Sequence, residues 1–418
     1  IMPENFHIDM PEAVRNIIHT IEEHGFKAYA VGGCIRDSIL GRNPDDWDIT
    51  TSAVPSQIKT FFKRTVDTGI AHGTVTIMID KTGYEVTTYR IDGEYEDGRH
   101  PKSVEFSDRL VDDLCRRDFT INAMAYNDTD GFVDEFKGLD DLDTKIIRCV
   151  GEPELRFTED ALRMMRAIRF SAQLGFTIDE ATWNAIKKLS PSISKISMER
   201  VHVELGKTLM SAHPDYVAQY SEAGLFAPIL PVIDNALKSR YKRKILATLQ
   251  HTPDNIYLRY AALFITSTPD EAAKTLRALK LDNKTVNTVS KLVELSKMDI
   301  EETEPAVRTA LNKYGRDFLP LWHELMMAVI QASEDITGIS NPAKVKHLLT
   351  LKRLGTDILA RGDCFTIKDL DISGNDLIEY GLQGHEIGET LKSLLDIVIE
   401  NPKLNDKATL IAMIEHIK

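Results

Sequence analysis

Phe26-Lys27-Ala28-Tyr29-Ala30-Val31-Gly32-Gly33-Cys34-Ile35-Arg36-Asp37-Ser38-Ile39-Leu40-Gly41 decides how the N-terminal part of the chain folds. Phe26 to Val31 reads as a strand, Gly32-Gly33 as a turn, and Cys34 to Leu40 as a short helix that Gly41 ends. Just downstream, Pro44-Asp45-Asp46-Trp47-Asp48-Ile49-Thr50 leads into a second strand, Trp47 to Thr51. Side chains two apart on a strand share a face, so Asp46 and Asp48 project together while Trp47 and Ile49 face a core. Two parallel carboxylates repel and favour protonation unless a cation lies between them. A pair of magnesium ions is the usual solution where phosphoryl groups are transferred. The same D-x-D also fits a solvated, acidic strand end, so its surroundings decide. Glycines between a strand and a helix let backbone N–H groups approach a phosphate at the helix N-terminus. Arg36, on the first turn, reaches the same phosphates, and Asp37 orients the loop backbone. The dinucleotide fingerprint G-x-G-x-x-G is absent.

Working outward, Thr74 to Ile79 and Tyr84 to Arg90 carry the β-branched and aromatic content of strands. Asp92 to Lys102, rich in Gly, charge and Pro, reads as a mobile loop. From about Glu154 the strand signals fade and helical periodicity runs to Lys418. Breaks are expected near Ser190-Pro191, His213-Pro214, Pro231, Thr252-Pro253, Thr268-Pro269, Pro305 and Asn341-Pro342. The fold class is α+β: a small mixed α/β head followed by an elongated all-α region.

The bulk properties narrow the function classes. At 418 residues the chain is long enough for two to four domains, and 43% hydrophobic with 28% charged residues is ordinary globular composition. The formal net charge of -13 argues mildly against a nucleic-acid binder, but binding depends on where lysines and arginines cluster. Cys34, Cys115, Cys149 and Cys364 are far apart and form no C-x-x-C pair, which excludes a disulfide framework and a zinc site and fits a reducing compartment. Ile1-Met2-Pro3-Glu4 begins no basic-then-apolar leader, and no stretch of about 18 apolar residues occurs, so no membrane association and a cytoplasmic location are expected. No protein partner is evident.

Two later segments carry chemistry. Arg116-Arg117-Asp118-Phe119-Thr120-Ile121-Asn122-Ala123 places a guanidinium, the planar fork suited to a triphosphate, at Arg117. Asp118 and Asn122 are then positioned to bond a ribose. The stretch also fits a plain helix start with Phe119 and Met124 behind it. In Glu159-Asp160-Ala161-Leu162-Arg163-Met164-Met165-Arg166-Ala167-Ile168-Arg169-Phe170, Asp160, Arg163, Arg166 and Arg169 recur every three residues as one drifting helical stripe with excess positive charge. That suits a polyphosphate or RNA backbone; the same spacing also describes a surface ion-pair ladder.

Gly32-Gly33-x-x-Arg36-Asp37, Gly41 and Asp46-x-Asp48 together resemble the signature of the nucleotidyltransferase branch that contains bacterial class II CCA-adding enzymes and poly(A) polymerases. Arg116 to Ala125 is similar to that family's R-R-D-F-T-x-N-A motif, and Glu159 to Arg166 to its E-D-x-x-R-x-x-R motif. The resemblance implies template-independent addition of C, C and A to tRNA from CTP and ATP, with Mg2+ and release of pyrophosphate. It makes Asp46 and Asp48 the catalytic metal ligands and Glu85 a candidate third carboxylate, a residue that fits an exposed strand position equally well. Gly32, Gly33, Arg36, Arg117, Asp118, Asn122, Arg166 and Arg169 fall to nucleotide binding. Asp160 and Arg163 would read the Watson–Crick edge, since a carboxylate accepts from the exocyclic amine that C and A share. Ile196 to Val201 resembles the motif that braces the base-reading helix, with Glu199 and Arg200 structural. The implied division is a head at 1–149, a neck at 150–205, a body at 206–310 and a tRNA-binding tail at 311–418. The loop Arg90 to Pro101 resembles one found in full CCA-adding enzymes. In the tail, Leu370 to Leu377 followed by Gly381, Gly384 and Gly388 offers a glycine-led helix start that fits either a backbone phosphate or an ordinary turn. The alternative within the family is a poly(A) polymerase, which the absence of a strongly basic C-terminal extension disfavours. No His-Asp dipeptide supports a phosphohydrolase domain.

Overall fold

A computed structural model describes residues 6–93 and 103–417 of the chain, which divides into two compact units, Ile1–Pro231 and Val232–Lys418. Residues 94–102, most of the expected loop, lie outside the described residues.

Among the described residues the first unit has eleven strands: β1 (Ala28–Val31), β2 (Asp48–Thr51), β3 (Thr65–Gly69), β4 (Thr74–Ile79), β5 (Thr82–Thr88), β6 (Arg90–Asp92), β7 (Val104–Phe106), β8 (Ala125–Asn127), β9 (Gly131–Val133), β10 (Ile146–Ile147) and β11 (Thr177–Ile178). Seven form a mixed sheet in the order β3-β4-β5-β2-β1-β8-β9. β1 and β2 run antiparallel with Val31 opposite Asp48, and β2 and β5 run parallel with Ile49 opposite Val86. All four residues of β1 are buried, as befits a strand covered on both faces. The helix Glu12–Glu23 buries Val14, Ile17, Ile18 and Ile21, one apolar stripe at helical spacing. Tyr29, Val31, Tyr89, Leu114, Ala123, Ala125 and Val150 form a core cluster that includes two residues of the central strand β1.

Three expectations are corrected. β2 begins at Asp48, so Asp46 lies in the extended approach to the strand, and Trp47 is only half-buried. Of the expected loop, Asp92 instead ends β6, which pairs antiparallel with β7 and sets Asp92 opposite Val104. Strand structure also persists past Glu154: β11 pairs parallel with β10 and ties the helices Pro153–Glu159 and Leu162–Leu174 to the end of the sheet domain.

The second unit is helical throughout its described residues. Several of its breaks fall at prolines, because a helix tolerates proline in its first turn, where a preceding polar residue can cap it. Thr268 caps the helix Pro269–Ala278 in a capping box with Glu271, and Asn341 caps Pro342–Arg361. Near the C-terminus, Leu377, Leu394, Val398, Leu410 and Ile414 form a separate core. The glycine-led helix start there, Gly374–Tyr380, is closed by its own capping box: Ser373 accepts from the Asp376 N–H and donates back to the Asp376 carboxylate. Among the described residues no helix is long and apolar enough to cross a membrane.

Candidate active site

The turn after β1 depends on glycine. Gly32 has φ +83°, and a β-carbon there would lie 3.1 Å from Nη1 of Arg117. The Arg117 guanidinium therefore rests against the turn, which only a residue without a side chain leaves room for. Arg117 is held from behind by Asp113, whose Oδ2 accepts from Nη2 at 3.2 Å. Asp113 is fully buried, also binds Arg116 at 2.9 Å, and accepts from the Thr50 hydroxyl at 3.1 Å. Burial pushes the Asp113 carboxyl up, but Arg117 and then Arg116 pull it further down, so it stays ionised. Nε of Arg117 is buried with no hydrogen-bond partner among the described residues.

On the neighbouring strands three carboxylates share one field. The β2–β5 register puts Asp48 level with Glu85, and Asp46 precedes them by two residues. Partial desolvation raises the Asp48 carboxyl; Arg117 opposes this and Asp46 adds to it. Glu85 is raised by desolvation, then by Asp48 and Asp46. This is the tension a cation relieves. No group of three His, Cys, Asp or Glu among the described residues is arranged to cage a metal ion. A pair of carboxylates with open positions nevertheless fits Mg2+, which keeps several waters and binds through one or two carboxylates plus substrate phosphates. Cys34, close to Asp48, has its thiol pushed up to about 12, first by burial and then by Asp48, so it is no nucleophile.

Arg36 does not face an open phosphate site. It is buried, donates to Asn122 Oδ1 at 2.7 Å and to Asp37 at 2.9 Å, and lies over the Phe170 ring at 5.0 Å. Asn122 in turn donates to Asp118 at 3.2 Å, and Asp118 accepts from Nε of Arg166 at 2.7 Å and from the Phe119 N–H at 2.8 Å. One amide thus joins the glycine helix to the arginine helix. The Asp118 carboxyl is lowered to about 2: burial raises it, and Arg166 and Arg163 outweigh the burial.

The 160s depart from a single stripe. Asp160 has extended backbone (φ -142°, ψ 106°) between the helices Pro153–Glu159 and Leu162–Leu174. Its carboxylate accepts from the Leu162 N–H at 3.0 Å and from Nη2 of Arg200 at 2.7 Å. Nor is positive charge left in excess: Arg163 pairs with Glu159 at 2.6 Å, Arg166 with Asp118 at 2.6 Å, and Arg169 with buried Glu204 at 2.5 Å. Asp113 and Glu204 escaped the sequence reading. Asp113 is three and four residues before Arg116 and Arg117, a helical ion-pair spacing that was available as a signal; Glu204 lies 35 residues from its partner and gave none.

A mixed sheet that presents carboxylates beside a glycine turn with an arginine laid across it, continued by helices, defines a nucleotidyltransferase. Known proteins agree. The poly A polymerase head domain matches residues 28–148, and tRNA nucleotidyltransferase domain 2 matches residues 257–414. The CCA-adding enzyme of Pediococcus pentosaceus is 34% identical, covering 98% of each chain, and that of Limosilactobacillus fermentum is 37% identical over 96% of this chain and 95% of its own. The crystal structure of the Bacillus stearothermophilus CCA-adding enzyme in complex with CTP superposes with a TM-score of 0.75 at 32% identity, covering 97% of this chain and 96% of that one. The chain belongs to the CCA-adding enzyme family.

Proposed function

We propose that the chain adds C, C and A to the 3′ end of tRNA, taking CTP and ATP and releasing pyrophosphate, with each base chosen by protein side chains. The observation that carries this reading is the placement of Arg117 between Gly32, Asp113 and the field of Asp48. Asp113 holds the fork rigid, and its bidentate face binds triphosphate oxygens. Gly32 and Gly33 keep the backbone clear for the same phosphates, and Arg36 holds Asn122. Asp118 and Asn122 set the ribose. Asp46 and Asp48 hold Mg2+, and Glu85 is a third carboxylate beside them. Magnesium at that position would lower the pKa of the attacking 3′ hydroxyl and offset the charge of the pyrophosphate. The CTP-bound relative, alike over 97% of this chain, supports CTP as a substrate here.

Asp160 and Arg163 read the base. Arg200 fixes the carboxylate and Glu159 the guanidinium, so both present pre-oriented groups to the exocyclic amine and ring nitrogen of C or A. Arg166 and Arg169 support the helix through Asp118 and Glu204. The head (1–149) performs the chemistry, the neck (150–205) reads the base, and the body (206–310) and tail (311–418) hold the tRNA. This is a cytoplasmic activity.

The test is incorporation of labelled nucleotides, singly and in pairs, into tRNA lacking its end. Two C followed by one A supports the reading; long A runs would make the chain a poly(A) polymerase. Asp46→Ala should abolish addition while tRNA still binds, and retained turnover would remove Asp46 from the metal site.

A further inference from the structure

Within the second unit a cavity of about 250 Å³ is lined by residues with no role above. Tyr241 and Lys244 come from the start of the helix Lys242–His251, Thr266 follows the helix Ile256–Leu263, and Lys297 follows the helix Asn283–Leu295. Two ammonium groups thus share one concavity, and no carboxylate lines it. Nζ of Lys297 donates to the Ile265 and Val293 carbonyls at 3.3 and 3.4 Å, which hold it at the wall. The Lys244 carbonyl accepts from the Thr248 hydroxyl at 2.7 Å, and its ammonium group reaches the cavity. Burial destabilises the charge on Lys297, Lys244 adds to that, and Glu271 offsets part of it. Bringing two like charges together is unfavourable unless an anion occupies the space between them.

The helix itself makes a second, independent case. Its first turn holds Lys242, Arg243 and Lys244 with no acid, and Tyr241 at the N-cap gives no side-chain cap. The N-terminus carries the positive end of the helix dipole, so cations there oppose the usual preference, which an anion beside Lys244 relieves. Arg240 donates to the Tyr241 hydroxyl oxygen at 2.8 Å, which leaves the phenol proton available to a ligand. Ammonium, phenol and threonine hydroxyl groups approach from three separate segments, which matches the several directions of a tetrahedral oxyanion better than a planar carboxylate. Arg240, Lys242 and Arg243 beside the cavity extend the positive surface further than a single small anion needs, and a polyanion uses that extent.

We propose that this cavity binds one phosphate group, held by Lys244 and Lys297 with the hydroxyls of Tyr241 and Thr266, and that the group is a backbone phosphodiester of the bound RNA. The proposal rests on the reading of tRNA as substrate. The test uses the full chain carrying Lys244→Gln or Lys297→Gln, with Lys297→Arg as the charge-preserving variant and Lys291→Gln as an exposed control. Binding of tRNA lacking its end is followed by anisotropy across salt concentrations, and circular dichroism melts check folding. Each glutamine variant should weaken binding about fivefold and reduce the salt slope by about one, with arginine restoring both. In a second arm, inorganic phosphate is titrated while the lysine side-chain carbon resonances are recorded. Resonance shifts at Lys244 and Lys297 with unchanged RNA affinity assign the cavity to free phosphate and overturn the RNA contact. No response in either arm overturns the site. Addition of C, C and A by the unmodified chain is measured alongside: its absence, with the phosphate response intact, defeats the functional reading and leaves the cavity standing.

Discussion

Asp118→Asn isolates the value of one charge at the junction of sheet and arginine helix. Asparagine keeps the size and most of the hydrogen-bonding shape, so it imitates the protonated acid. The Asp118 carboxyl is lowered from 3.8 to about 2, with Arg166 as the largest stabilising partner. A carboxyl moved that far is worth about 2.5 kcal/mol of folding stability at neutral pH. The sign follows from linkage. The folded-state value lies below the unfolded one, so the contribution is complete above about pH 5 and is lost as pH falls toward 2; by pH 3 about half of it is gone. For a unit the size of Ile1–Pro231, this amounts to a drop of about 5–10 °C in melting temperature at pH 7. The assay is thermal unfolding of wild type and variant from pH 7 to pH 3. The gap between the two should hold from pH 7 to about pH 5 and shrink to about half by pH 3. A variant that melts with the wild type at pH 7, or a gap independent of pH, would refute the idea that the Asp118–Arg166 charge pair supports this unit.

Three further outcomes are expected. Because Asp48 and Glu85 are raised, stability should fall as pH rises through their folded values, and Mg2+ should reverse this; a melting temperature raised by Mg2+ at pH 7.5, with the rise absent in Asp48→Asn, is the pattern to look for. At a hundredfold excess over Kd such binding is worth about 2.7 kcal/mol. Asp160→Ala should blur selection of C and A against G and U in single-nucleotide incorporation, and unchanged selectivity would remove Asp160 from base reading. Gly355, in the helix Pro342–Arg361, faces Leu319 so closely that a β-carbon would overlap it. Gly355→Ala, which at an open helical position would gain about 1 kcal/mol, should instead lose about 1–2 kcal/mol in chemical unfolding; a stabilised variant would mean that Leu319 gives way.

Parts of the molecule were legible in sequence where neighbouring residues decide the conformation. β1, the glycine turn and the short helix follow from local preferences, and so do the proline-marked caps at Thr268 and Asn341. The paired carboxylates were found by the same kind of reading, although the strand begins at Asp48 and Asp46 only approaches it. What local pattern could not supply was pairing across the fold. Arg36 meets Asn122 at a separation of 86 residues, Asp118 meets Arg166 at 48, and Arg169 meets Glu204 at 35. Spacing fixed the arginines on a common stripe and left open which acids come to them. Those acids neutralise the apparent charge of the helix.

Asp160 is the instructive case, because two principles compete there. Its neighbours favour helix, yet its carboxylate takes the Leu162 N–H and so starts a new helix. Aspartate readily gives up the helical conformation for such a cap. The break also frees Asp160 from the stripe and turns it to Arg200, 40 residues away. A helical Asp160 would be held by one backbone register and would move only with its helix. As a cap, it is fixed at one oxygen by the backbone and at the other by an arginine from a separate helix. On the proposed base-reading role, accepting two bases and refusing two others would call for a carboxylate whose orientation is set from two sides, and the interruption of the helix supplies that geometry.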